Sequence, residues 1–241
     1  MNIEDSYEPS AGSRLAKTLL QLAQHDLSRW VLTGGTAIEL HLHRRNAPTL
    51  LRPSHDLDFI AANFACLPET LGEVLLLRHV HPNDPPAKCI LQAVHPETVV
   101  RVDVFRSYGS EIERASDIEL NGVSLRLVAF EDLVARHARL CGDILRGQTL
   151  APKFARDFLR MLDLVEPEQI EAIWQEHRKS QDPLSFAEVS HLLREAITIH
   201  KERLIPLVYS TDPTQICPRC ESTPAFKLAS SQKIFSLLGY C

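Results

Sequence analysis

Between Trp30 and Ile60 the chain reads as strand, glycine turn, helix and acidic strand, an order that few folds accommodate. Trp30-Val31-Leu32-Thr33 is a short apolar run of buried-strand type. It stops at Gly34-Gly35-Thr36, and Ala37-Ile38-Glu39-Leu40 then opens a helix. Paired glycines let a backbone approach a ligand closely, and the free N–H groups and positive dipole end of a helix start form an anion site. Gly34, Gly35 and Thr36 are therefore candidate contacts to a phosphate. A plain strand-to-helix connection, with Thr36 as the helix cap, accounts for the same residues without a ligand. Further on, Ser54-His55-Asp56-Leu57-Asp58-Phe59-Ile60 alternates, and the period of two puts Asp56 and Asp58 on one face of a strand. Neighbouring carboxylates repel unless a cation or a proton sits between them. A third, Asp103, lies in Val99-Val100-Arg101-Val102-Asp103-Val104-Phe105, sharing a face with Arg101 and Phe105 while Val100, Val102 and Val104 take the other. Hard carboxylate oxygens in this number suit one or two Mg²⁺ ions that bridge nucleotide phosphates. In the competing account Asp56 and Asp58 are polar residues at a strand end, and Asp103 pairs with Arg101 or Arg106.

The wider composition sets limits on that reading. The chain has 241 residues, enough for one or two domains with a proper core, and a formal charge of −5 gives no global attraction toward nucleic acid. Local basic groups remain in Arg44, Arg45 and Arg52, and in Arg136-His137-Arg139. Aromatics make up 6% of the chain, too few for a base-stacking platform. No run of eighteen apolar residues occurs, and the start, with Glu4, Asp5 and Glu8, lacks a signal-peptide layout, so the expectation is a cytoplasmic protein with no membrane partner. Six cysteines without a regular framework fit reduced thiols or a metal site better than disulfides.

Along the chain, residues 1–10 read as a loose lead-in, and a first amphipathic helix is expected from about Ser13 to His25. Two prolines between Asn46 and Pro53 end the second helix and make a loop over the site mouth. There Arg52 can reach triphosphate oxygens, and the Ser54 hydroxyl can orient a carboxylate or phosphate. Pro68 with Leu71, Val74, Leu75 and Leu77 predicts a helix to about Arg78. Lys88–Val94 and Thr98–Ser107 pair as a hairpin, and a second hairpin turns at Asn121-Gly122. The sum is a small mixed sheet of five or six strands flanked by helices. Helical patterns follow at 131–140, 152–165, 167–179 and 185–205, with a short one at 232–239. The class expected is α+β, divided as an α/β domain over 1–128, a helical domain over 129–205 and a tail over 206–241. In that tail Cys217-Pro218-Arg219-Cys220 is a knuckle-like turn. With Cys241 it would hold a structural Zn²⁺, completed by Cys141, Cys89 or a histidine such as His200. Flexible unligated thiols are the simpler account. The histidines His41, His43 and His55 that flank the glycine turn read as surface or satisfied core residues.

The arrangement resembles the nucleotidyltransferase superfamily. In its wording, Leu32-Thr33-Gly34-Gly35-Thr36-Ala37, then Arg52 and Ser54 before Asp56-Leu57-Asp58-Phe59, then Asp103-Val104-Phe105, it looks like the AbiEii/AbiGii-type branch, the nucleotidyltransferase-like toxins of type IV toxin–antitoxin pairs. The resemblance spans roughly residues 12 to 165. It implies a nucleotidyltransferase-like fold, Mg²⁺ at Asp56, Asp58 and Asp103, and transfer of an NMP from an NTP to a hydroxyl acceptor such as a tRNA 3′ end or a protein side chain. It also implies a neighbouring antitoxin. The helical part of that family supplies a lysine and then an Asp in a Lys-Asp-x-x-Asp-like segment. Here His137 or Arg136 stands at the lysine position, and Lys153, Arg156, Asp157 and Asp163 stand near the second segment. His137 and Asp157 are thus expected catalytic residues and Lys153 a nucleotide contact, although a histidine is not reliably charged at neutral pH. A degenerate, non-catalytic nucleotide-binding or protein-interaction module is the alternative, and a metal-dependent hydrolase using the same carboxylates is a third.

Overall fold

The computed structural model describes residues 2–3, 7–49, 56–78, 80, 86–206 and 229–239. It divides into two compact units, one of Met1–Ser107, Ile112–Val128 and Thr211–Cys241, the other of Tyr108–Glu111 and Ala129–Ser210.

The first unit is built on a seven-stranded mixed sheet in the order β3-β4-β5-β2-β1-β7-β6. Its strands are β1 (Val31–Thr33), β2 (Asp56–Ala61), β3 (Leu76–Arg78), β4 (Cys89–Val94), β5 (Arg101–Arg106), β6 (Ser116–Leu120) and β7 (Val123–Leu127). The central strand β2 runs antiparallel to β1 and parallel to β5, and β1 runs parallel to β7. Such a strand is covered on both faces, and Leu57, Phe59, Ile60 and Ala61 are fully buried. Helix α1 (Pro9–Leu22) starts on a proline and buries Leu15, Leu19 and Leu22. Helix α2 (Gly34–Arg44) follows β1 directly and packs on β1 and β2. The β6–β7 hairpin turns at Asn121 (φ 53°) and Gly122 (φ 74°), the two left-handed positions that a primed turn requires.

Three local expectations are corrected. Within the lead-in Ile3 and Tyr7 are buried, and the Ile3 N–H donates to the Asn121 side chain at 2.8 Å. The helix expected after Pro68 is a 3₁₀ turn, Glu69–Glu73, followed by β3. Gly72 weakens a helix there, and Leu77 instead pairs with Ala93 on β4, which raises the strand count to seven. Thr36 does not cap α2, because the helix begins two residues earlier and Thr33 takes the cap position. Helix α7 (Ser231–Leu237) belongs to this unit as well. The Ala229 N–H donates to Leu77, and Arg78 lies 4.6 Å from the Phe235 ring centre.

The second unit is helical. In it α3 (Phe130–Leu145) packs against α4 (Pro152–Leu162), α5 (Pro167–His177) and α6 (Phe186–Ile199). Prolines open α4 and α5, a capping box of Glu166 and Gln169 supports α5, and Ser185 caps α6. Trp174, wholly buried, meets the Phe186 ring edge-on at 6.0 Å and donates its indole N–H to the Pro183 carbonyl. The α+β class expected from the sequence, a mixed sheet flanked by helices and then a helical layer, is the class the chain adopts.

Candidate nucleotide and metal site

Strand pairing assembles the acidic residues. In the parallel β2–β5 ladder Asp58 is the register partner of Asp103, and Asp56 that of Arg101, so all four side chains leave the sheet on one face. Across the other edge of β2, Thr33 is the partner of Asp58, and β4 sets Gln92 opposite Asp103. Gln92 donates its amide N–H to the Asp103 carboxylate at 3.2 Å. Asp103 is buried, while Asp56 and Asp58 are half-exposed.

The glycine turn reaches this face. Gly34 has φ +67°, and a Cβ built on it would lie 2.1 Å from Asp58 Oδ2. Only a residue without a side chain lets the start of α2 come so near that carboxylate. The Thr36 hydroxyl is 2.7 Å from the Tyr7 hydroxyl, and both groups are buried. The Thr33 hydroxyl, also buried, has no hydrogen-bond partner among the described residues.

Arg101 lies between the carboxylates. One guanidinium nitrogen donates to Asp56 Oδ2 at 2.9 Å, and another is 2.9 Å from Asp103 Oδ2. The ion pair to Asp103 that the simpler sequence account foresaw therefore exists, and it extends to Asp56. The set has the donor chemistry for a magnesium ion, but among the described residues its three carboxylates do not converge within 4.8 Å of one another. It offers hard oxygen donors on one face, a cradle at Gly34 that a Cβ would fill, and an orphaned hydroxyl at Thr33. Burial, followed by the Asp103 and Asp58 carboxylates, pushes the Cys89 thiol well above its usual range. Sequence reasoning had no signal for Cys89 or Gln92 as neighbours of this site, because the β4–β5 register brings them there.

The remaining expected residues fall elsewhere. Arg52, Ser54 and His55 lie outside the described residues, as do Cys217, Cys220 and Cys241. Cys141 is a buried thiol whose pKa burial, then Asp157 and Asp143, push up. His41 is a satisfied core residue, the second of the two expected placements: its Nε2–H donates to the Val128 carbonyl at 2.7 Å, and burial lowers its pKa from 6.5 to about 4. In the second unit His137 is buried and donates Nδ1–H to Leu133, one turn back in its own helix, at 2.8 Å. Asp157 is buried beside Arg156 and Arg160, 3.5 and 3.8 Å away, and Lys153 is exposed with its ammonium 5.1 Å from the Phe154 ring centre.

That unit also holds a group the sequence did not disclose. Glu111, Asp132 and His177 are fully buried, with one ligand atom from each lying within 4.8 Å of the others, which is spacing and donor chemistry suited to a divalent ion. His177 Nε2–H donates to Asp132 at 3.0 Å, while its Nδ1 is buried with no hydrogen-bond partner among the described residues. Glu111 already carries a cation: Arg136 donates to both carboxylate oxygens at 2.6 to 3.1 Å, and the Tyr108 N–H adds a third donor at 2.6 Å. Arg136 is thereby committed. Apart from both groups, a cavity of about 610 Å³ lies against β6 and β7 and is lined by His25, Ser28, Ser124 and Arg126. It includes none of the residues expected to be functional.

No family profile matches the sequence, and no curated protein does. Among solved structures the chain is similar to an antigenic nucleotidyltransferase-like protein from Paracoccidioides brasiliensis. The identity is 16%, the TM-score 0.43, and the match covers 82% of this chain and 96% of that one. The reading of the site rests on the side chains described above. No helix among the described residues is long and apolar enough to cross a membrane.

Proposed function

We propose that this chain is a Mg²⁺-dependent nucleotidyltransferase that moves an NMP from an NTP to a hydroxyl acceptor. The observation that carries the reading is the pairing of Asp58 with Asp103 on one sheet face, with the glycine turn pressed against Asp58. Asp56, Asp58 and Asp103 would hold the metal. When bound, it supplies charge neutralisation for the phosphates and acidifies the acceptor hydroxyl. Gly34 and Gly35, at the start of α2, present backbone N–H groups to a phosphate. Asp103, oriented by Gln92, is the ligand or base nearest the acceptor. Arg52 and Ser54 are assigned to the triphosphate, and His137, Asp157 and Lys153 to the family positions they match. By the sequence resemblance, the acceptor is a tRNA 3′ end or a protein side chain, and the setting is the toxin partner of a type IV pair.

A second reading has an observation of its own. His137 is bound into its helix and Arg136 is held by Glu111, so neither is placed as an uncommitted cation in the family lysine's stead. A chain lacking that cation would be a degenerate nucleotide-binding module. One experiment separates the two: incubation with Mg²⁺, each α-labelled NTP in turn and total tRNA, against an Asp56→Ala/Asp58→Ala control. Label on RNA or on the protein, lost in the double variant, is the expected result. NTP binding without transfer to any acceptor would leave the degenerate module.

A further inference from the structure

The proposed metal ligands are bridged by a cation that belongs to the chain itself. Arg101 stands two residues before Asp103 on β5 and opposite Asp56 on β2, so strand geometry fixes its side chain on the carboxylate face. Its guanidinium contacts Asp56 and Asp103 at 2.9 Å each, and its side chain is 12% exposed, shielded from the solvent that weakens surface ion pairs. Three carboxylates on one face repel one another, and this contact offsets the repulsion while turning an oxygen of two of them onto nitrogen. With Gln92 on the other Asp103 oxygen, a divalent ion would compete with the guanidinium for these carboxylates.

We propose that Arg101 is a resident counter-cation of this site: it holds Asp56 and Asp103 together in the metal-free chain, and metal loading displaces it. The proposal rests on the metal-site reading given above and adds its regulation. Loading is then an exchange of one cation for another, so the site binds free metal weakly and fills when a second ligand, the nucleotide's phosphates, arrives with it. Arg101 is a positioning residue in this scheme, acting through the carboxylates it releases.

The test uses Mn²⁺ as probe, titrated calorimetrically into the wild-type chain, Arg101→Gln, and each combined with Asp58→Asn. Removing a fixed positive charge from beside the ligands is expected to tighten Mn²⁺ binding by about tenfold or more, with binding abolished by Asp58→Asn in both backgrounds. A merely structural arginine would loosen the site when replaced. Equal or weaker binding by Arg101→Gln, still dependent on Asp58, would overturn the role of Arg101 and leave the metal site standing. Absence of Asp58-dependent binding in both chains would overturn the metal site and this proposal with it. Because Arg101→Gln leaves carboxylates uncompensated and risks misfolding, a second measurement uses the wild-type chain alone. Phenylglyoxal modification of Arg101, read by peptide mass spectrometry, should accelerate several-fold when Mn²⁺ saturates the site. An unchanged rate under saturating, Asp58-dependent Mn²⁺ would overturn the displacement.

Discussion

Gly34 is the residue on which turn and carboxylates meet. Its φ of +67° disfavours any side chain, and an added Cβ would strike Asp58. Gly34→Ala should therefore lower stability by about 1–3 kcal/mol in urea denaturation and weaken Mn²⁺ binding as Asp58 is pushed aside. His41 carries a pH dependence of opposite origin. Burial depresses its folded pKa from 6.5 to about 4, so the neutral ring is the form the fold accepts. The stability it contributes is complete above pH 6.5 and is lost as pH falls toward 4, at about 1.4 kcal/mol per pH unit. Between pH 7.5 and 5 the wild-type chain should lose about 2 kcal/mol through this group. His41→Gln, which keeps an N–H for the Val128 carbonyl, should flatten the denaturation profile by that amount. An unchanged profile in the variant would show that another group carries the effect. Asp56, Asp58 and Gly34 were readable from neighbouring residues, because a turn and a strand alternation are short-range patterns. Arg101 was readable as sharing a face with Asp103 and as one candidate ion-pair partner for it; its reach to Asp56 depends on the strand alongside.

At the scale of elements, α3 organises the second unit, and its Arg136 anchors the Tyr108–Glu111 segment through buried charge. Arg136→Ala leaves Glu111 fully buried without its cation, which costs about 3–5 kcal/mol. Replacing both partners, Arg136→Met with Glu111→Leu, should recover most of that loss, and urea midpoints of the single and double variants check it. Equal loss in both would mean that shape, not charge, holds the segment. The elements most faithfully foreseen were those with a strong local signature. The prolines opening α4 and α5 and the Asn121-Gly122 turn are examples. The segment after Pro68 was misread because apolar residues at 71, 74, 75 and 77 satisfy a helical spacing, while β4 offered Leu77 a strand partner that no local pattern reveals. Ile3 and Tyr7 were misjudged for a similar reason: a polar stretch can still bury two side chains when a core waits for them.

For the whole molecule, the proposed function predicts a ligand-dependent gain in stability. Mg²⁺ with the cognate NTP at a hundredfold excess over Kd should add about 2.7 kcal/mol. In a chain of this size that is a rise in Tm of roughly 5–10 °C. Asp56→Ala/Asp58→Ala should show none, and a scan of the four NTPs by thermal melting would name the nucleotide. An equal rise in the double variant would place binding away from the carboxylates.

By itself the sequence determined the alternation that puts Asp56 and Asp58 on one face, the glycine turn that opens α2, and the α+β order of strands and helices. These are decided within a few residues, by backbone sterics and by the periods of strand and helix. The tertiary structure alone decided that Asp58 stands beside Asp103, that Arg101 spans Asp56 and Asp103, and that Glu111, Asp132 and His177 converge. Apart from Arg101 with Asp103, those contacts join residues far apart in the chain, and their register is chosen by packing both faces of a sheet or all sides of a helix at once.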